Sequence, residues 1–356
     1  MAALALLISG CGNDDDSGSD GLPTIMATTS IWADVVANVA CDGQAEVITL
    51  IPPGGDPHAF QPSLQDRGRM ENAVMIVANG LDLEEGLGDT LEAVEEAGTP
   101  VFHMADHIET IGFAPGMELE HHDEDEGDDH GDEEEGDDHG DEEEGDDHGD
   151  EDEGDDHGDE DEGDDHGDED EGDEEGGHGH SGEDPHVWFD PVRVADALVA
   201  LSNALASQAG LDTDVLSACV TEYRGELIAL DAEIEEILSP LHHEDRLMLT
   251  NHDALGYFAN RYDFELVGTV IPGGSSIGEA NPAELQELIG LIEQTGVPAI
   301  FAESSHSSDD AEALARQAGV EVVVLDTGSL GRSGSGSDTY LGFMRTNAQR
   351  IADSLG

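Results

Sequence analysis

The sequence is poor in positive charge. Its 356 residues include no lysine, and ten arginines face 87 acidic residues, which gives a formal net charge of −77. Binding to nucleic acid requires cationic side chains that displace the counterions of the phosphate backbone, so this composition argues against a nucleic-acid partner. About 40 of the acidic residues lie between Glu120 and Asp184, and the rest of the chain is acidic as well.

Long apolar segments are also missing. A membrane-spanning helix needs about 20 apolar residues, and the apolar run at the N-terminus, MAALALLIS, is too short and has no basic flank. The sequence ISGC at 8–11 overlaps the end of this run and resembles the bacterial lipobox. We therefore expect residues 1–21 to hold a signal remnant, a lipobox and a tether, with a lipid on Cys11 anchoring an extracytoplasmic protein to the cell membrane. The alternatives are a periplasmic location and an uncleaved apolar tail in which Cys11 is incidental.

Cysteine is scarce. Apart from Cys11 the chain has only Cys41 and Cys219. An even pair in an exported protein can form a disulfide, but two buried free thiols fit the sequence equally well.

Apolar, β-branched segments alternate with segments of helical spacing. Predicted strands include TIMATTSI at 24–31, EVITLIP at 46–52 and VMIVAN at 74–79, and in the predicted helix 32–40 one face carries Trp32, Val35, Val36 and Val39. Strands this apolar are covered on both faces, so the pattern predicts an α/β protein with parallel sheets. The length suits two Rossmann-like lobes.

The expected division is a first lobe at 22–211, a helix at 212–239 and a second lobe at 240–356. In the helix, apolar residues recur at alternating steps of four and three: Leu216, Val220, Tyr223, Leu227, Leu230, Ile234 and Ile237. This spacing fits either a rigid connector between the lobes or a helix that covers one of them.

A repeat interrupts the first lobe at 120–183. Its units have a nine-residue period, GDDHGDEEE drifting to GDDHGDEDE, and carry no apolar residue to bury, so we expect disorder. Each unit offers one histidine among carboxylates and could hold ions loosely; a solvated spacer without a metal role is the alternative. The repeat histidines are His130, His139, His148, His157 and His166, with His121, His122, His178 and His180 at the ends.

Two stretches share the core Asp-Pro-His, GGDPHAFQPS at 54–63 and DPHVWFDP at 184–191. The proline before each histidine favours a stiff loop, which suits a metal ligand. A third histidine, His252, follows the predicted strand LMLTN. Because ligands of open α/β sheets gather at the carboxyl ends of strands, His58, His186 and His252 can converge. Three imidazoles with a carboxylate or a water make a set suited to zinc.

With these motifs in place the chain resembles a known family, the metal-binding lipoproteins of bacterial ABC importers for zinc and manganese (cluster A-I solute-binding proteins). The resemblance runs from Thr24 to Leu355 except for the repeat, which lies where zinc-binding relatives carry an acidic, histidine-rich loop. It rests on PPGGDPHAFQPS, VANGLDLEEGL, DPHVWFDP, TNHDALGYFANRY, IPGGSSIGEANPAEL, IFAESSHSSDDAEALA and DTYLGFMRTN.

The resemblance implies two α/β lobes joined by one long rigid helix, with a metal ion held in the cleft between them. His58, His186 and His252 match three of the four ligands, and histidine at the third position is typical of the zinc branch. The family's aspartate usually precedes a Ser-Leu or Pro-Leu pair, but here Gly328 stands before Ser329. Asp326 is the predicted fourth ligand, with Glu303 or a water as alternatives.

The implied function is capture of zinc, as cargo, for delivery to an ABC permease in the membrane by a monomeric binding protein that is not an enzyme. Manganese is the alternative cargo, and a surface metal buffer or adhesin is an alternative role. A zinc hydrolase is disfavoured because the sequence has no HExxH motif and no clear general base.

Overall fold

The computed structural model describes residues 21–113, 182–278 and 280–356. The predicted lipid attachment at Cys11 lies outside these residues, and so does the predicted disordered repeat except for Gly182 and Glu183. Within the described parts of the chain, no helix is both long and apolar enough to cross a membrane.

Four parallel strands form the first sheet in the order β2-β1-β3-β4. The strands are β1 (Thr24–Ala27), β2 (Glu46–Thr49), β3 (Met75–Ala78) and β4 (Val101–His103). Between them lie α1 (Ser30–Val39), α2 (Leu64–Glu71) and α3 (Gly88–Glu96). β1 ends earlier than predicted because the Thr29 side chain accepts a hydrogen bond from the Trp32 N–H and caps α1.

The second sheet repeats this plan in the order β6-β5-β7-β8. Its strands are β5 (Leu247–Thr250), β6 (Glu265–Thr269), β7 (Ala299–Glu303) and β8 (Glu321–Leu325). The helices of this lobe are α6 (Gly256–Tyr262), α7 (Pro282–Thr295), α8 (Asp309–Ala318) and α9 (Tyr340–Leu355). Two lobes, each with a parallel sheet and surrounding helices, confirm the predicted fold class.

Both faces of the first sheet are covered, as its apolar strands predict. Ile25 and Ala27 of β1 belong to the hydrophobic cluster that continues into the second lobe, whereas Met26 between them faces a separate cluster on the other side. In β3, Val77 likewise belongs to the first cluster and Ile76 to the second. The alternation follows from successive strand side chains pointing to opposite faces.

Two long helices lie between the sheets in sequence, α4 (Pro191–Gln208) and α5 (Thr213–Leu238). α5 spans about 39 Å at 1.5 Å per residue, begins at the cap Asp212, and packs against α4, α1 and α9. Six of its seven predicted seam residues are buried, and Ile237 is partly buried. α5 thus contacts helices of both lobes, although the exact domain boundaries stay a prediction.

The two cysteines left open by the sequence are bonded to each other. Cys41 follows α1 and Cys219 lies in α5, with their Cα atoms 6.1 Å apart, a normal separation for a disulfide. The bond joins residues 178 positions apart and ties the first lobe to the long helix.

Candidate metal centre

Three histidines from distant parts of the sequence meet in the interior between the lobes. The Nε2 atom of His186 lies 3.2 Å from Nε2 of His58 and 3.3 Å from Nε2 of His252. All three side chains are buried. Among the described residues they form a group whose ligand atoms are close enough to hold one metal ion. The structure therefore brings together the three predicted histidines.

The two Asp-Pro-His motifs use the same local geometry. In each, the aspartate Oδ1 accepts a hydrogen bond from the backbone N–H of the histidine two residues later, at 3.0 Å for Asp56 and His58 and at 2.9 Å for Asp184 and His186. The proline between them removes a competing donor and fixes the backbone. The repeated motif is therefore a device for holding a histidine in a tight, rigid loop.

A carboxylate lies behind each imidazole. Nδ1 of His186 contacts Asp184 Oδ1 at 2.8 Å, Nδ1 of His58 contacts Glu85 Oε1 at 3.2 Å, and Nδ1 of His252 is hydrogen-bonded to Glu303 Oε1. These contacts place a proton on Nδ1, where it donates to the carboxylate, and make Nε2 the nitrogen that can bind an ion. Three Nε2 atoms this close to one another are unfavourable unless a proton or a metal ion lies between them, so the arrangement suits a metal ion.

Burial and the carboxylates set the protonation of this cluster. Burial, together with the charges of the neighbouring histidines, holds the pKa of His186 well below its usual value, so it stays neutral. Burial also opposes protonation of His252, but the attraction of Glu303 outweighs it and raises the His252 pKa. Burial raises the pKa of Asp184 to about 7. Because its pKa is raised, His252 would have to release a proton before it could bind a cation.

Asp326, the predicted fourth ligand, lies outside the histidine group. Its Oδ1 accepts a hydrogen bond from Ser304 Oγ at 2.8 Å, and its Oδ2 lies 3.3 Å from Nη1 of Arg350. Acting as a ligand would require it to exchange these contacts. Its assignment stays a prediction that no observation tests.

The other candidates for the fourth ligand are Glu303 and a water, and they differ in whether existing hydrogen bonds would have to be broken. Both oxygens of Glu303 are already engaged, Oε1 by His252 and Oε2 by Thr327 Oγ1 at 2.9 Å. At Gly328, which stands where the family usually has aspartate, a Cβ would lie 2.6 Å from Pro57, so there is no room for a side chain. A water needs no such rearrangement.

Sequence reasoning missed Glu85 and Asp184 as partners of the ligands. A signal for Asp184 was present, because an aspartate stands two residues before the histidine in both motifs. Glu85 belongs to the loop after β3 and is 27 positions from His58, so only the strand order brings the two together. The sequence also contains a GxSxG pattern at 274–278, which is typical of serine hydrolases, but its Ser276 lies in a loop and donates to Asp56 Oδ2 at 2.6 Å instead of to a histidine.

The remaining histidines of the described chain lie apart from the centre. His103 is partly buried at the end of β4, and His107 stacks on Phe102. His242 and His243 are exposed, and Nδ1 of His306 lies 3.8 Å from Asp56 Oδ2.

Two parallel-sheet lobes enclosing a buried three-histidine cluster define a class of metal-binding protein that holds its ion between lobes. The family model described as "ZnuA: Zinc-uptake complex component A periplasmic" matches residues 25–354. The chain belongs to this family, which confirms the resemblance seen in the motifs.

Individual relatives agree. The "Zinc-binding protein TroA" of Treponema pallidum is 27% identical over 346 residues, covering 96% of this chain and 91% of the relative. The "Manganese-binding lipoprotein MntA" of Halalkalibacterium halodurans is 22% identical over 359 residues, covering 100% of this chain and 96% of the relative. The solved structure of the periplasmic zinc-binding protein TroA from T. pallidum has a TM-score of 0.70 at 25% identity and covers 94% of this chain and 100% of that one. Its likeness supports the two-lobed fold.

Proposed function

We propose that this protein captures Zn²⁺ outside the cell, as the solute-binding component of an ABC importer, and carries the ion to a membrane permease. The observation that carries the proposal is the convergence of three buried Nε2 atoms, each on a ring whose Nδ1 faces a carboxylate. Carboxylate partners orient imidazole ligands and strengthen their basicity. The ion is cargo, and the protein carries out no chemistry on it.

Zinc is favoured over manganese by the donor set. Three imidazoles and one further position form the nitrogen-rich, four-coordinate site that zinc prefers, whereas manganese prefers oxygen ligands. The carboxylates beside the histidines contact Nδ1 and orient the imidazole rings, so they are not counted as ligands. A water completes the set in this proposal, because Asp326 and Glu303 are both engaged by other groups. Relatives named for zinc and relatives named for manganese both match this chain.

An enzymatic role has little support. A zinc hydrolase needs an open coordination position with a general base and space for a substrate beside it. The three histidines are at most 4% exposed, so a substrate in solution has little access to them. The anchor on Cys11, the monomeric state and loose ion binding by the acidic repeat belong to the same proposal.

Zinc titrations in competition with a chelator test the proposed site. The variants His58→Ala, His186→Ala and His252→Ala should each bind at least about tenfold more weakly, which is about 1.4 kcal/mol. The exposed His242→Ala is the matched control and should bind as the wild type does. Unchanged affinity in all three ligand variants would overturn the site, and tighter binding of Mn²⁺ than of Zn²⁺ would overturn the choice of cargo.

A further inference from the structure

The carboxylate of Asp184 orients the His186 ring, and few hydrogen bonds keep that carboxylate in place. This residue is fully buried, and its Oδ1 accepts hydrogen bonds from both the backbone N–H and the ring Nδ1 of His186. Its Oδ2 has no hydrogen-bond partner. A carboxylate held on one oxygen alone could rotate, and any rotation would change the direction of the His186 ring. Something else must hold Asp184 in place.

The start of α6, in the second lobe, supplies that support by packing. Asp184 Oδ2 lies against Gly256, and a Cβ built on Gly256 would overlap this oxygen. Gly256 does not adopt a positive φ, so its backbone would accept any residue. The contact with Asp184 is therefore what requires glycine here. Since Asp184 is short and its other oxygen is committed to His186, it cannot move aside without moving the ligand.

The next residue holds the backbone of Asp184. The Tyr257 hydroxyl donates to the carbonyl oxygen of Asp184 at 2.9 Å and accepts from the N–H of Ile111 at 3.1 Å. Ile111 and Asp184 are also bonded directly, N–H of Asp184 to the carbonyl of Ile111 at 2.8 Å. Tyr257 is fully buried. One hydroxyl of the second lobe thus fixes two segments of the first lobe.

We propose that Gly256 and Tyr257 are positioning residues of the metal site, which hold Asp184 from the opposite lobe so that His186 presents Nε2 to the ion. Neither touches the ion. Gly256 acts through the space it leaves, and Tyr257 through its hydroxyl. This inference rests on the proposed function, since it assigns a role in metal binding to residues outside the ligand set.

A double-mutant cycle on the full-length protein tests the inference, with zinc affinity measured by chelator competition. Gly256→Ala should weaken binding by about 10- to 100-fold, the usual effect of disturbing a ligand's supporting partner. In an Asp184→Ala background the same change should have no further effect on affinity, because it acts only through Asp184. Gly225→Ala is the control: Gly225 is an exposed helix residue in α5 with nothing within 4 Å of a Cβ.

Tyr257→Phe provides a second arm that keeps the ring and removes both hydrogen bonds. It should lower zinc affinity about tenfold and alter the visible absorption of the Co²⁺-loaded protein, which reports ligand geometry. If Gly256→Ala fails to fold, this variant decides alone. Wild-type affinity in the folded variants, or equal losses with and without Asp184, would overturn the inference. If His58→Ala, His186→Ala and His252→Ala all bound zinc normally as well, the proposed metal site itself would fail.

Discussion

Replacing Glu303 by glutamine tests whether a buried carboxylate tunes the metal centre through His252. Glutamine has nearly the same shape, and its amide can contact both His252 Nδ1 and Thr327 Oγ1, the two present partners of Glu303. The substitution therefore removes the charge while leaving room for the hydrogen bonds. Any change in binding is then electrostatic.

The expected loss is large enough to measure. A Zn²⁺ ion bound to Nε2 of His252 would lie roughly 6.5 Å from the Glu303 oxygens, where a divalent and a unit charge interact by at most about 5 kcal/mol at an effective dielectric constant of 20. Loss of a carboxylate behind a ligating histidine usually costs 10- to 100-fold in metal affinity, or about 1.4–2.7 kcal/mol. We expect Glu303→Gln to lower zinc affinity at about pH 8 by an amount within that range.

The loss should shrink as the pH falls. In the metal-free wild type, Glu303 raises the pKa of His252, so the ion must displace a proton, and affinity drops about tenfold per pH unit once the pH is below that pKa. In Glu303→Gln, burial lowers the pKa of His252, and only the smaller attractions of Asp56 and Asp253 oppose it. Binding by the variant should therefore be less sensitive to acid and release fewer protons near neutral pH.

Zinc competition titrations between about pH 8 and pH 6, with calorimetry in two buffers to count released protons, measure both effects. The control is Glu84→Gln, since Glu84 is also buried but bonds to Thr28 and Asn79 instead of a ligand. A variant-to-wild-type affinity ratio that stays constant with pH, or an equal loss in the control, would refute the electrostatic role of Glu303.

Three further predictions concern other features. Asp326→Asn should change zinc affinity less than about threefold if a water is the fourth ligand, and a loss of 1.4 kcal/mol or more in the same titration would restore Asp326 to the ligand set. Reducing the disulfide, or Cys41→Ser with Cys219→Ser, should lower the free energy of unfolding by roughly 2–5 kcal/mol in a denaturant titration; an unchanged midpoint would contradict this. Deleting 120–175 should remove weak, multiple binding in calorimetry and spare the tight site, whereas loss of the tight site would refute the separation of the two.

Much of the fold could be predicted because its signals are local. The apolar runs of β1 and β3 indicate strands covered on both faces, and Ile25 and Met26 do pack on opposite sides of the sheet. Each histidine of the candidate metal centre could also be found from its neighbours in sequence, because a strand end or an Asp-Pro pair precedes it. Periodicity located the buried side of α5 for the same reason.

What could not be predicted depends on contacts between distant segments. Glu85 follows β3 and His58 follows β2, and the two meet because only β1 separates these strands in the sheet. Gly256 reaches Asp184 from the other lobe. The disulfide joins residues 178 positions apart. At the fourth ligand position the residue type suggested Asp326, but Ser304 and Arg350 hold its carboxylate, and no sequence pattern reports that competition.

The most direct test of the central claim is the X-ray absorption spectrum of the protein loaded with less than one equivalent of Zn²⁺, so that the tight site fills first. The three-histidine site predicts three imidazole nitrogens at about 2.0–2.1 Å and one oxygen, with one imidazole lost in His186→Ala. A spectrum dominated by carboxylate oxygens, or one unchanged by that substitution, would contradict it.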